Sequence, residues 1–269
     1  MRDIRTAIAV FNAKVGQTRE NLNRTVRLTR QAAAEGAELI CFPEMNITGY
    51  SNHPDILDLA EPIPGPSIKD LIVLSRKEKI VILAGLAEKG VDGNIYASHA
   101  VITPDGLNGV YRKLHIAPTE QAMYTAGKQI PIFEYKGIKF GIQLCYDAHF
   151  PELSTRMAAL GVTVIFIPHA SPRGKAPEKH RSWMRHLPAR AYDNSLFIVA
   201  CNQTGSNAKG LCFPGNALVI GPSGHILQKW ATGEEALHVF DLEAGELRQV
   251  RDNRMHFFLP NRRPELYTP

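Results

Sequence analysis

The sequence predicts a layered α/β domain, with strands and helices alternating along one continuous chain. Three observations point there. Short apolar runs of strand length recur between segments with helical spacing. Glycine and proline fall mostly at the boundaries of these runs. No repeat, low-complexity stretch or linker interrupts the 269 residues, so a single domain is expected over 1–269, with residues 243–269 as a C-terminal arm. A chain of this length buries roughly three quarters of its unfolded surface and needs no disulfide or metal to hold it.

Each element has its own signal. "IRTAIAVF" reads as a strand, and "TRENLNRTVRLTRQAAAEGA" follows with Leu22, Val26, Leu28 and Ala32 near helical spacing and Gly36 as a stop. "ELICF" is a buried strand halted by Pro43. "PSIKDLIVLSRKEK" is helical, and "IVILAGLAEK" and "IYASHAVITPDG" are strands. "GVYRKLHI" and "IPIFEYKGIKFGIQLC" add more, with Lys136-Gly137 as a hairpin turn. "PELSTRMAALG" is a helix closed by Gly161, and "VTVIFIP" is another buried strand. "PEKHRSWMRHLPARAYDN" is helix-like, although Pro188 should kink or split it. "SLFIVACNQ", "GNALVIGPSGHILQKW" and "ALHVFDL" supply the last strands, and the tail reads as a short helix and an extended arm.

Composition narrows the function classes. Hydrophobic residues at 44% and charged residues at 21% are ordinary for a soluble globular protein. The formal charge of +5 is spread over short mixed clusters such as "RKLHIAPTEQ" and "HASPRGKAPEKHR". Without a basic stripe and interleaved aromatics, no nucleic-acid partner is expected. No span of about 18 apolar residues is present, so no membrane span is expected. The first residues alternate like a strand and lack the apolar core of a signal peptide, which points to a cytoplasmic chain. Cys41, Cys145, Cys201 and Cys212 are too few for a disulfide framework and form no CxxC pair, so a reduced protein without metal or organic cofactor is expected.

Three strand ends carry chemistry. "ELICFPEMNITGY" places Glu44 just past a buried strand, "GVYRKLHIAPTEQ" places Lys113 at a strand end with Glu120 in the following loop, and "KFGIQLCYDAHFPEL" ends a strand on Cys145. Taken singly, the glutamate and lysine read as solvated charges and the cysteine as an inert core residue. Cys145 has a more particular setting, because Pro151 suits the first turn of a helix and Glu152 complements its positive end. Backbone N–H groups at such an elbow stabilise a thiolate and an oxyanion.

"CFPEMNITGY", "YRKLHI" and "GIQLCYDAHFPE", in this order and at these separations, resemble the three signatures of the nitrilase, or carbon–nitrogen hydrolase, superfamily. The resemblance runs from "IAVFNAKVGQTRENL" to "RRPELY". It implies a four-layer α-β-β-α sandwich and a Glu-Lys-Cys triad on Glu44, Lys113 and Cys145, with Glu120 as a further glutamate. It also implies a homodimer or a higher assembly, with the C-terminal arm a plausible participant. The expected reaction is hydrolysis of a non-peptide C–N bond in a small linear amide or N-carbamoyl compound, with release of ammonia through a thioester.

In that scheme Cys145 is the nucleophile, Glu44 shuttles protons, and Lys113 with the Tyr146 N–H holds the oxyanion. Glu120 orients the substrate amide or Lys113. Tyr50, Tyr146, His169 and Trp183 are the expected substrate-binding walls, although buried aromatics are more often core. His169 stands where relatives commonly carry asparagine. His115 is expected to make a structural hydrogen bond, His149 to cap or pack, and Asp147 to fix a loop. The alternatives are nitrile hydrolysis by the same triad, a soluble acyltransferase, a non-catalytic binding homologue, and a thiol redox or metal-binding protein. The last predicts a resolving cysteine or clustered ligands that the sequence does not offer.

Overall fold

The computed structural model describes residues 1–267. Its first sheet is built from β1 (Ile4–Val10), β2 (Leu39–Cys41), β3 (Val81–Lys89), β4 (Ile95–Thr103) and β5 (Gly106–Arg112). The second contains β6 (Phe133–Tyr135), β7 (Ile138–Ile142), β8 (Val164–His169) and β9 (Phe197–Asn202). A short ribbon of β10 (Thr204–Ser206) and β11 (Cys212–Pro214) follows. Next, β12 (Ala217–Ile220) and β13 (Ile226–Trp230) complete the second sheet, and β14 (Ala236–Leu242) returns to the first. The strand orders are β14-β1-β2-β3-β4-β5 and β13-β12-β9-β8-β7-β6. In each sheet the central pairs, β1/β2/β3 and β7/β8/β9, are parallel and the flanking pairs antiparallel.

Strand alternation explains how the layers stack. Ile4, Ile8 and Val10 of β1 enter one apolar cluster with Leu39, Val81 and Leu83, and face Phe140, Ile142 and Phe166 of the other sheet. Ala7, Ala9 and Phe11, on the opposite face of β1, join a second cluster with Leu22, Leu28 and Ala32 of α1 (Thr18–Ala34) and Ile68, Leu71 and Leu74 of α2 (Pro66–Glu78). The outer side of the second sheet is covered by α3 (Pro151–Ala159) and by α4 (Ala176–Trp183) and α5 (Leu187–Asn194), whose Leu153, Trp183, Leu187 and Ala191 are buried. The result is the expected four-layer α-β-β-α sandwich. Burying one such aliphatic side chain contributes about 1.5–3 kcal/mol, so apolar docking of the two sheets holds the layers without a disulfide.

Several local expectations are met. Lys136 and Gly137 turn between β6 and β7 with φ of 47° and 78°. Pro188 splits the helical segment, sitting in the first turn of α5, where its missing N–H costs nothing. Two boundaries differ. The β7 ladder stops at Ile142, short of Cys145; Leu144 is still extended, and the chain leaves the extended region only at Cys145, with φ 46°. The tail is less extended than expected, with α6 (Ala244–Arg251) followed by 3-10 turns at Leu259–Asn261 and Pro264–Leu266, and its last two residues lie outside the described ones. Two 3-10 helices, at Pro54–Leu59 and Cys145–His149, add to the elements expected from the sequence.

Among the described residues no helix is long and apolar enough to cross a membrane.

Candidate active site

The ends of β2, β5 and β7 converge. Glu44 lies three residues past β2 and is fully buried. Lys113 follows β5 directly and is also buried. Its Nζ donates to Glu44 Oε1 at 2.9 Å and to both oxygens of Glu120, at 2.9 and 2.8 Å. Glu120 further accepts from the Tyr50 hydroxyl at 2.7 Å and from the Ala117 N–H at 3.1 Å. The second oxygen of Glu44 accepts the Ala170 N–H at 2.9 Å, from the turn after β8. Its backbone carbonyl accepts from Gln203 Nε2 at 2.7 Å, just past β9. Bonds from both sheets thus hold the Glu44 carboxylate in one orientation.

Cys145 begins the 3-10 helix Cys145–His149 that leads into α3. Its positive φ is costly for a residue with a Cβ, and such strain persists only where the surroundings enforce it. Asp147 supplies much of that enforcement. One of its oxygens accepts the Leu144 N–H at 3.0 Å and the Tyr111 hydroxyl at 2.8 Å. The other lies 2.8 Å from the His115 N–H and 2.7 Å from His115 Nδ1. Tyr111, Lys113 and His115 are spaced two apart, so the residues that flank the lysine also clamp the elbow. Arg190 of α5 closes the far side, donating to the carbonyls of Ala148 and His149 at 3.1 and 3.2 Å.

A cavity of about 740 Å³ opens onto this cluster, lined by Tyr50, Lys113, Glu120, Cys145 and Tyr146 among others. Tyr50 and Tyr146 therefore reach the cavity, as the sequence suggested. His169 and Trp183 do not line it. They are buried, with ring centroids 4.6 Å apart, and His169 Nδ1 lies 2.8 Å from the Ile167 carbonyl. His149 does reach the cavity wall and packs against His186, centroids 4.5 Å apart. Ala170, Gln203, Arg190 and Lys179 join the residues expected around the site. The first two follow strand ends, which was an available signal.

Burial sets the protonation states. It pushes the Glu44 carboxyl up to about 7, opposed by the Lys113 charge and reinforced by Glu120. Burial alone would lower the Lys113 ammonium, but Glu44 and Glu120 overcome it, and the lysine stays charged well above its usual range. The Cys145 thiol is pushed up to about 12, first by burial and then by Glu44, with Lys113 and Lys179 acting against the rise. The resting thiol is therefore protonated and beside a carboxyl that titrates near neutrality. That pairing suits transfer of the thiol proton to a general base.

Among the described residues no group of three or more His, Cys, Asp or Glu side chains is arranged to hold a metal ion. The sequence profile of the carbon–nitrogen hydrolases matches residues 5–252. The chain belongs to the carbon–nitrogen hydrolase family.

Its relatives agree. This carbon–nitrogen hydrolase is 31% identical over 248 residues to an (R)-stereoselective amidase of Pseudomonas sp., covering 92% of this chain and 87% of the amidase. It is 29% identical over 269 residues to a nitrilase of Pyrococcus abyssi, covering 98% and 99% of the two chains. Among solved structures, an amidase of Nesterenkonia sp. AN1 superposes with a TM-score of 0.83 at 25% identity, covering 98% of each chain. The protein is accordingly a hydrolase of amide-type C–N bonds outside peptides.

Proposed function

We propose that this hydrolase opens a small linear amide or N-carbamoyl compound through a thioester on Cys145, with Glu44, Lys113 and Glu120 as its working residues. The observation that carries the reading is one lysine held at hydrogen-bond distance by two buried carboxylates, beside a strained cysteine on the same cavity. Glu44 takes the thiol proton as sulfur attacks the carbonyl carbon, forming the C–S bond and a tetrahedral oxyanion. Lys113 and the Tyr146 N–H, at a helix start where backbone donors lack intrahelical partners, receive that negative charge. Such donors contribute about 3–4 kcal/mol each. The C–N bond then breaks, the proton on Glu44 passes to nitrogen, and ammonia leaves. Glu44, again a carboxylate, activates the water that cleaves the C–S bond. Glu120, bonded to Lys113 and Tyr50, keeps the ammonium in place.

The pH dependence follows with a definite sign. Glu44 acts only as the carboxylate, which predominates above about 7. On its acid side kcat/KM should fall about tenfold per pH unit, and it should level off at higher pH. Because Lys113 stays protonated far into the alkaline range, its deprotonation should cause no loss there. A kcat/KM profile taken across that range checks both limbs; an alkaline plateau starting well below 7 would remove Glu44 as the base.

The chemistry itself is tested by ammonia release from a panel of small amides, carbamoyl amines and nitriles, with peptide mass spectrometry for an acyl adduct on Cys145. Release from amides with an adduct on Cys145 supports the reading, and release from nitriles alone would replace it by nitrile hydrolysis. A homodimer belongs to the same proposal, with exposed Leu160 and Tyr192 at the ends of packed helices offering apolar surface. So does a cytoplasmic setting, which suits four free cysteines.

A further inference from the structure

One buried charge has no role in the scheme above. Lys179 of α4 is only 8% exposed, yet among the described residues its ammonium makes a single hydrogen bond, to the Ser171 hydroxyl at 2.5 Å. Among the described residues it forms no ion pair. Its neighbour Glu178 is turned away, capping the Lys175 N–H at 2.9 Å. A desolvated ammonium without a counter-charge is costly and rarely kept without a purpose.

Its surroundings supply one. Ser171 lines the catalytic cavity, and Asn202 pins it, Oδ1 accepting its N–H at 3.0 Å and Nδ2 donating to its carbonyl at 3.1 Å. Arg173, two residues on, also lines the cavity and forms no ion pair among the described residues. Burial holds the Lys179 ammonium below its usual range, the Arg173 charge lowers it further, and only the thiolate form of Cys145 would act against them. The inner end of the cavity differs, since Glu44 and Glu120 there outnumber Lys113. The cavity is thus negative at the depth of the nucleophile and positive along its Ser171–Arg173 wall.

We infer that this wall is a carboxylate subsite, with Ser171 and Arg173 as the contacting groups and Lys179 as the charge behind them, so that the substrate is an amide carrying an anionic group. The Ser171 hydroxyl accepts from Lys179 and has its own proton free to donate into the cavity. A carboxylate there receives charge-assisted hydrogen bonds, while the amide end points inward to Cys145. Lys179 acts through Ser171 and is a positioning residue. The inference rests on the amidase reading of the same cavity.

The test compares monoamides of four- and five-carbon dicarboxylic acids with neutral amides of the same carbon number, as a ratio of kcat/KM values. A charge-assisted bond predicts a preference for the acids of about 10- to 100-fold. Lys179→Met should bring the ratio close to one, Lys179→Arg should restore part of it, and Arg173→Ala should lower it. Calorimetric titration of the matching dicarboxylate into Cys145→Ala protein, with and without Lys179→Met, reads the subsite without turnover. Dicarboxylate binding that Lys179→Met abolishes upholds the subsite even where no amide is turned over, in which case the amidase reading alone fails. A wild type that favours neutral amides, a ratio unchanged by Lys179→Met, or no dicarboxylate binding would overturn the inference and leave amide hydrolysis standing.

Discussion

Replacing Cys145 by alanine should lower kcat for amide hydrolysis by about 10⁵-fold or more, the scale seen when a covalent nucleophile is removed from its site. The loss should be one of chemistry and not of folding. Alanine meets the same backbone strain at φ 46° as cysteine, and Asp147, Tyr111 and His115 still pin the elbow. The measurement is single-turnover ammonia release with thermal unfolding run beside it. An alanine variant that kept ammonia release would move the nucleophile elsewhere in the cavity.

Lys113→Met should have the largest effect on stability. The ammonium is the shared partner of Glu44 and Glu120, and removing it strands two buried carboxyl groups without a counter-charge. Breaking a buried ion pair from one side costs about 3–5 kcal/mol, because the remaining charge is left uncompensated. Urea unfolding of the variant should show a loss of that size at neutral pH. Adding Glu120→Gln to Lys113→Met should recover part of it by removing one stranded charge. Single and double variants of equal stability would show that the second carboxyl carries no uncompensated charge once the lysine is gone.

What could be read from the chain, and what could not, divides by distance along it. Lys136-Gly137 and Pro188 act through their own backbone, and both did what local chemistry requires. The strand ends of Glu44, Lys113 and Cys145 were visible as polar residues after apolar runs. The partners that orient them were not. Ala170 and Gln203 reach Glu44 across more than a hundred residues, and Asp147 reaches Tyr111 across a different sheet. His169 and Trp183 show the converse: both were expected on the cavity wall, but their rings pack against each other in the core. Which way an aromatic side chain turns is decided by the layer laid over it, and that layer is distant in sequence.

Glu44 and Lys113 arrive on one sheet and Cys145 on the other, so the reacting groups straddle a seam. Apolar side chains across a seam resist its being pulled open far more than its being slid sideways. Resistance to sliding comes from the directional bonds of Glu44 with Ala170 and Gln203, and of Asp147 with Tyr111 and His115. These act as dowels at one end of two stacked boards. Near them a drift of about 1 Å would uncouple base from nucleophile.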